Sequence, residues 1–251
     1  AQGARCADER AAVLLFCNPH NPAGRVWRRD ELERVSDICR RHHVRVIADE
    51  IHCELVMPGY EYTPFASLSD ETSAITVTLN SPSKSFNTAG LMQSNVICSD
   101  IEMRRRVDRV INIFEVCEVN PFGPDALVAA YNESEEWLDE LNRYLYDNYL
   151  ELKRFFAEYM PKIEVLKLEG TYLVWVDISA LEFTSDELEA KLRDEGKVYL
   201  NSGTMYGRRA GQGYMRINIA CPRSRMIDGL TRMAKVLAPC MEDDCDLGCP
   251  S

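Results

Sequence analysis

Two continuous apolar runs, Ala11 to Cys17 and Val44 to Ala48, bracket an amphipathic stretch, and few folds accommodate that arrangement. Short apolar runs without alternation read as strands buried on both faces. Between them Leu32, Val35, Ile38, Cys39 and His42 recur at helical spacing, and Asp30 with Glu33 resembles a capping box that opens the helix. A strand–helix–strand unit of this kind is nearly always parallel with a right-handed crossover. In open parallel sheets, ligands bind beyond the carboxyl ends of the strands. Asn18-Pro19-His20-Asn21-Pro22-Ala23-Gly24-Arg25 follows the first run, and Asp49-Glu50-Ile51-His52 follows the second. Asn21 and Asp49 are therefore expected just past two strand ends, in one site.

A third β-rich run, Ala74 to Leu79, leads into Ser81-Pro82-Ser83-Lys84-Ser85-Phe86-Asn87-Thr88-Ala89-Gly90-Leu91, and a further strand is expected over Gln93 to Cys98. A lysine in such a turn, taken alone, is most often a solvated loop cation. An asparagine amide, a carboxylate and a lysine converging at strand ends are what an electron-sink cofactor needs. The lysine condenses with the cofactor, and the carboxylate pairs with its pyridinium nitrogen. Asp49, His52 and Glu54 are a conceivable metal set, but they alternate along a strand end and lack further ligands. No metal site is predicted.

The remaining chain reads as helices over Asp100 to Phe114 and Asp125 to Asn132, separated by a break at Asn120-Pro121-Phe122-Gly123-Pro124. A long helical pattern runs from Glu135 to Met160 and stops at Pro161. Shorter units follow: strands at Ile163 to Leu166 and Thr171 to Val176, then a helix capped by Thr184 and Glu187 and ended by Gly196. Strands at Val198 to Leu200 and Tyr214 to Ala220 and a helix from Arg223 to Leu237 close the pattern. Gly211-Gln212-Gly213 lacks a strand–turn–helix context and reads as loop rather than a nucleotide fingerprint. Tyr60, Tyr62 and Phe65 read as loop side chains packing on the domain. The expected division is residues 1–134, then 135–239, then an acidic tail from 240 to 251 whose Cys240, Cys245 and Cys249 match no standard ligand spacing.

Composition narrows the class of partner. With 40 acidic against 29 basic residues the net charge is −11, which argues against nucleic acid or an anionic membrane. No apolar run approaches the ~18 residues of a membrane span. Four of the ten cysteines (Cys17, Cys39, Cys98, Cys117) sit inside apolar runs, and without a secretory signal the cysteines read as reduced core thiols of a cytoplasmic protein.

Together these motifs resemble pyridoxal-phosphate enzymes of the fold-type-I aminotransferase superfamily, most closely the cystathionine β-lyase, or carbon–sulfur lyase, branch. The resemblance covers roughly residues 11 to 238. Besides the Asn21, Asp49 and Lys84 segments it rests on Glu169-Gly170-Thr171-Tyr172-Leu173-Val174-Trp175 and Arg216-Ile217-Asn218. It implies an α/β fold: part of the mostly parallel sheet of the large domain, then a long helix and a small α+β domain. It implies pyridoxal 5'-phosphate held by Lys84, with Asp49 at the pyridine nitrogen, Asn21 at the phenolic oxygen, His52 in the cofactor pocket, and Ser81 and Ser83 near the phosphate. Arg216 would bind the α-carboxylate of a small amino-acid substrate. A homodimer is implied for the complete enzyme.

Two departures favour the lyase branch. General aminotransferases usually carry tyrosine at the position of His52, and an arginine eight residues after the lysine, where this chain has Met92. An aminotransferase with the same site is the alternative, and a regulatory or binding protein that keeps the fold without turnover is another. The family's first half supplies a Gly-rich phosphate turn and a ring-stacking aromatic residue, and nothing before Ala11 provides either. The chain is thus expected to correspond to the later two-thirds of such an enzyme. Alone it is expected to be poorly soluble or oligomeric and to bind the cofactor weakly or not at all, with the region after Glu135 the better-folded part.

Overall fold

The computed structural model describes residues 11–241, so Cys245 and Cys249 lie outside the described residues. The chain divides into two compact units. The first comprises the chain up to Asn21, Arg25–Asn142 and Glu169–Thr171; the second comprises Pro22–Gly24, Arg143–Leu168 and the chain from Tyr172.

The first unit contains β1 (Val13–Cys17), α1 (Arg29–Arg41), β2 (Arg45–Asp49), α2 (Asp70–Ala74), β3 (Thr76–Asn80), α3 (Pro82–Ser85), β4 (Asn95–Ile97), α4 (Ile101–Ile113) and α5 (Gly123–Glu133). The sheet order is β1-β2-β3-β4, with the first three strands parallel and β4 antiparallel. The crossover helix α1 begins earlier than Asp30 suggested. The Glu31 carboxylate accepts from the Arg28 backbone N–H at 3.1 Å and from Arg25 Nη2 at 2.7 Å, while Asp30 is held by the side chains of Arg28 and Arg34. Leu32 and Cys39 of α1 meet Phe16, Val46, Ala48 and Phe65 in one core. Each large side chain fully buried there contributes roughly 1.5–3 kcal/mol.

The expectation that β1 and β2 are covered on both faces is corrected. Leu14 and Phe16 point to the α1 core, whereas Leu15 is 77 % and Val13 51 % exposed. Pairing places Leu15, Ile47 and Val77 in one row on this second face. The reason is the single helical layer: α1 packs on one side only, and α4 buries none of its residues. Two further strand boundaries move. β2 runs through Asp49, so that residue ends the strand. Ala74 ends a short helix, capped by Ser69 Oγ accepting from the Thr72 N–H at 3.2 Å, and β3 therefore starts at Thr76. Cys117, expected in the core, is exposed, while Cys39 and Cys98 are buried.

The helix α6 (Glu135–Tyr159) begins in the first unit and continues in the second. The second unit adds β5 (Glu164–Val165), β6 (Leu173–Asp177), α7 (Ser185–Gly196), β7 (Asn201–Ser202), β8 (Tyr214–Asn218) and α8 (Arg223–Met241). Its sheet, ordered β5-β6-β8-β7, is antiparallel throughout. The predicted box opens α7: Thr184 Oγ1 accepts from the Glu187 N–H at 3.2 Å, and the Glu187 carboxylate accepts from the Thr184 N–H at 2.9 Å. At the other end the left-handed residue is Lys197, φ 53°, not Gly196. The Val198 N–H still serves the Leu192 carbonyl at 3.0 Å, so Val198 to Leu200 caps the helix and the strand is reduced to Asn201–Ser202. The closing helix runs past Leu237 and Pro239 to Met241, and so includes Cys240.

Gly203 and Gly211 face each other so closely that a Cβ on Gly211 would overlap the Gly203 carbonyl oxygen, and one on Gly203 the Gly211 carbonyl oxygen. The obstacle is backbone on both sides, so no rotamer change relieves it. Gly211→Ala is expected to destabilise the second unit by about 3 kcal/mol, the upper part of the range for overpacking, read from the urea midpoint of its unfolding.

Candidate active site

The register of the parallel strands decides what gathers at their carboxyl ends. Cys17 pairs with Asp49, and Asp49 with Leu79, so one row crosses β1, β2 and β3. Neighbouring strands lie about 4.8 Å apart, which sets the three following segments side by side. Paired residues project to the same face, so the Asp49 side chain emerges on the face opposite the α1 core. The Asp49 backbone carbonyl continues the ladder, accepting from the Asn18 N–H at 3.1 Å.

The loop after β1 is held by Asn18, which sequence reasoning passed over. It is fully buried. Its Nδ2 donates to the Thr63 carbonyl at 3.2 Å, and its Oδ1 accepts from the Trp27 N–H at 3.1 Å. Trp27 Nε1 returns to the Cys17 carbonyl at 3.2 Å, and the Arg25 guanidinium lies over the Trp27 ring at 4.4 Å. His20 and Arg25 bridge across the turn, which presents a half-buried Asn21. The Asn18–Pro19 peptide is cis. The available signal was an Asn-Pro dipeptide at a strand end, which marks a turn without saying what the amide holds.

Glu169-Gly170-Thr171 docks onto this loop and onto the segment after Asp49. The Glu169 carboxylate accepts from the Val26 N–H at 3.0 Å, the Glu169 carbonyl from the Met57 N–H at 3.0 Å, and the Leu55 carbonyl from the Thr171 N–H at 2.8 Å. Glycine is required at position 170, because a Cβ there would meet Val26 Cγ2 at 2.8 Å and the Leu55 carbonyl at 3.0 Å.

After β2, Asp49 accepts from the Ile51 N–H at 3.3 Å with one carboxylate oxygen and is otherwise open to solvent. Glu50 turns inward, 4 % exposed, and accepts from the Phe65 N–H at 2.8 Å. Burial pushes the Glu50 carboxyl up, against hydrogen bonding from Tyr62 and Phe65 that lowers it. Burial and the Glu50 charge push the Tyr62 phenol up. His52 is 3 % exposed within the turn. Glu54 points to Ser85, whose Oγ donates to it at 2.6 Å. Among the described residues no three histidine, cysteine or carboxylate side chains are grouped to hold a metal ion.

The lysine turn is a single turn of helix, α3. Ser81 caps it, accepting from the Ser83 N–H at 3.1 Å, and donates to the Gln93 carbonyl. Ser81 is 2 % exposed, so its hydroxyl is committed to shaping the turn, and the half-buried Ser83 Oγ lies 2.6 Å from it. Lys84 is half-buried and forms no ion pair among the described residues. Phe86, just past the turn, stacks on Trp137 at 5.9 Å and meets the edge of Tyr131 at 5.7 Å. Met92 is 80 % exposed with φ 50°, so no cation stands where aminotransferases usually carry arginine.

Arg216 belongs to the second unit. On β8 it pairs with Trp175 and Asn201, donates from Nη2 to Asn201 Oδ1 at 2.8 Å, and lies 4.8 Å over the Tyr206 ring. Trp175 stacks on Tyr214 at 5.5 Å and meets Tyr206 edge-on at 5.8 Å. This aromatic setting was not foreseen, since Tyr206 and Asn201 adjoin Arg216 only through strand pairing and a tight turn.

Comparison with known proteins bears on this arrangement. The family model "Aminotransferase class I and II" matches residues 3–232. Cystathionine beta-lyase PatB of Bacillus subtilis (strain 168) is 38% identical over 234 residues, covering 93% of this chain and 60% of that protein. Cystalysin from Treponema denticola, solved with a pyridoxal 5'-phosphate cofactor, superposes with a TM-score of 0.91 at 34% identity, over 95% of this chain and 61% of that one. A pyridoxal-phosphate-bound C–S lyase from Staphylococcus hominis gives a TM-score of 0.82 at 32% identity, over 94% and 61%. The chain thus spans about three-fifths of the length of these relatives. From the matched residues and the shared fold, this chain belongs to the aminotransferase class I and II family.

Proposed function

We propose that this chain carries the lysine, carboxylate and amide of a pyridoxal-phosphate-dependent carbon–sulfur lyase acting on cysteine-type thioethers such as cystathionine. The observation that carries the reading is the alignment of the Asp49 and Lys84 segments on adjacent parallel strands, each side chain uncommitted to an ion pair among the described residues. The donor set fits the cofactor: an amine for its aldehyde, a carboxylate for its ring nitrogen, an amide for its phenolic oxygen, and serine hydroxyls for its phosphate. When bound, pyridoxal phosphate supplies an aldehyde that condenses with amines and a ring that accepts electron density from the α-carbon.

In this reading Lys84 Nζ would hold the cofactor, and the same amine would serve as general base for the α-proton of the substrate. Asp49 would accept a hydrogen bond from the protonated ring nitrogen and keep the proton there. Asn21 Nδ2 would donate to the phenolic oxygen. Ser83 is the better placed of the two serines to face the phosphate, with Ser81 holding the turn that presents it. His52, buried just past Asp49, supports the pocket wall. Arg216 binds the substrate carboxylate with its guanidinium fork, steadied by Asn201 and Tyr206. Loss of the α-proton and of the thiolate at the β-carbon gives a thiol and, after hydrolysis, pyruvate and ammonia. A small-molecule amino acid is the substrate, a cytoplasmic homodimer is the proposed setting, and neither nucleic acid nor membrane is a partner. Among the described residues no helix is long and apolar enough to cross a membrane.

The competing reading, an aminotransferase with the same site, is separated by one assay. With the full-length enzyme, cystathionine and saturating cofactor, pyruvate is expected to appear at the same rate with or without a keto-acid acceptor. Product that forms only when a keto acid is added overturns the lyase reading in favour of transamination.

A further inference from the structure

The lysine turn has a feature that the proposed chemistry does not use. The single turn α3 is too short to be stable by itself, so its geometry depends on how its two ends are fixed. Ser81 fixes the start. At the other end Ser85, fully buried and next in sequence to Lys84, donates from Oγ to Glu54 Oε2 at 2.6 Å. A hydrogen bond to a carboxylate is stronger than one between neutral groups, and burial of the donor keeps water from competing for it. Glu54 is itself anchored, because Asn142 Nδ2 donates to its backbone carbonyl at 2.9 Å. The Cys53 thiol and the Tyr131 hydroxyl lie against the same carboxylate, whose charge adds to burial in raising both. Tyr131 in turn packs edge-on against Phe86. Glu54 lies five residues after Asp49, on the same turn-rich segment. One carboxylate therefore ties the segment that carries Asp49 to the turn that carries Lys84.

We infer that Glu54 is a positioning residue: through Ser85 it fixes the Lys84 amine relative to Asp49. This inference rests on the assignment of Lys84 as the cofactor-bearing lysine. The requirement is for an acceptor oxygen at this place, more than for a negative charge, because the donor it meets is a neutral hydroxyl.

The test is the rate at which pyridoxal phosphate, fixed by borohydride, labels Lys84, read by peptide mass spectrometry against the exposed Lys153 in the same digest. Ser85→Ala and Glu54→Leu are each expected to slow Lys84 labelling about tenfold, the size of one lost charge-assisted hydrogen bond. Because both remove the same link, the double variant is expected to be no slower than either single one. Glu54→Gln, which keeps an acceptor oxygen, is expected to stay within about threefold of the parent, a rescue that simple packing does not predict for Gln over Leu. If Glu54→Leu does not fold, Ser85→Ala carries the test. Lys84 labelling at the parent rate in Ser85→Ala and Glu54→Leu overturns the positioning role and leaves the functional reading intact, as does a double variant whose defect is the product of the two. A parent chain that labels Lys84 no faster than Lys153 overturns the functional reading itself, and the positioning role with it.

Discussion

Replacing Asp49 by alanine is expected to leave cofactor attachment at Lys84 intact while lowering the elimination rate by at least ~10²–10³, the typical effect of removing one preorganised electrostatic group. The expectation follows from position. Asp49 ends β2 between the segments that follow β1 and β3, and among the described residues its carboxylate is bound only by the Ile51 N–H. A carboxylate so lightly held is free to meet a cationic ring nitrogen. Without it a bound pyridine ring would not hold its proton at neutral pH and would accept less charge from the α-carbon, whereas attachment at Lys84 would not need that proton. The check is a pair of measurements on one preparation: borohydride-fixed adduct per chain, and pyruvate release from cystathionine. Near-parental turnover in Asp49→Ala removes the carboxylate from the mechanism.

The second large effect is at Lys84. Lys84→Arg keeps the positive charge and most of the length of the side chain, yet a guanidinium neither condenses with an aldehyde nor gives up its proton near neutral pH. Turnover is expected to fall by at least ~10³, within the range general acid–base catalysis supplies, and the adduct mapped to this peptide is expected to disappear. The thermal midpoint is expected to stay close to that of the parent, because α3 is held by Ser81 and Ser85 and Lys84 forms no ion pair among the described residues. Retained elimination in this variant, at unchanged stability, moves the amine to another lysine.

What could be read from the sequence was whatever is encoded over a few residues. The strand–helix–strand unit around α1 follows from apolar runs and helical spacing, and the α7 box follows from Thr184 and Glu187, whose groups meet within one turn. The lysine turn was located by its Ser, Pro, Asn and Gly content. The family resemblance rested on the order and intervals of motifs, each of which is weak by itself.

The parts that escaped depend on residues far apart in the chain. Glu54 was weighed only as a metal donor, and nothing local indicates that Ser85, 31 positions on, takes its carboxylate. The role of Asn18 depends on Thr63, 45 positions away, and that of Glu169 on Val26, 143 positions away. The α1 cap shifted because Arg25 and the Arg28 backbone both claim Glu31, leaving Asp30 to exposed arginines. Leu15 misled for a different reason. Its composition suits a doubly covered strand, but coverage is a property of the helical layers, and α1 supplies one layer only.

Borohydride reduction of the chain equilibrated with millimolar pyridoxal phosphate, followed by peptide mapping of the reduced adduct, tests the assignment most directly. It does not require tight binding, since reduction traps whatever fraction is attached. The adduct is expected on the peptide that contains Ser83-Lys84-Ser85, with other lysines labelled only at the level of Lys153. An adduct concentrated on any other lysine, or spread evenly over the exposed ones, contradicts the account.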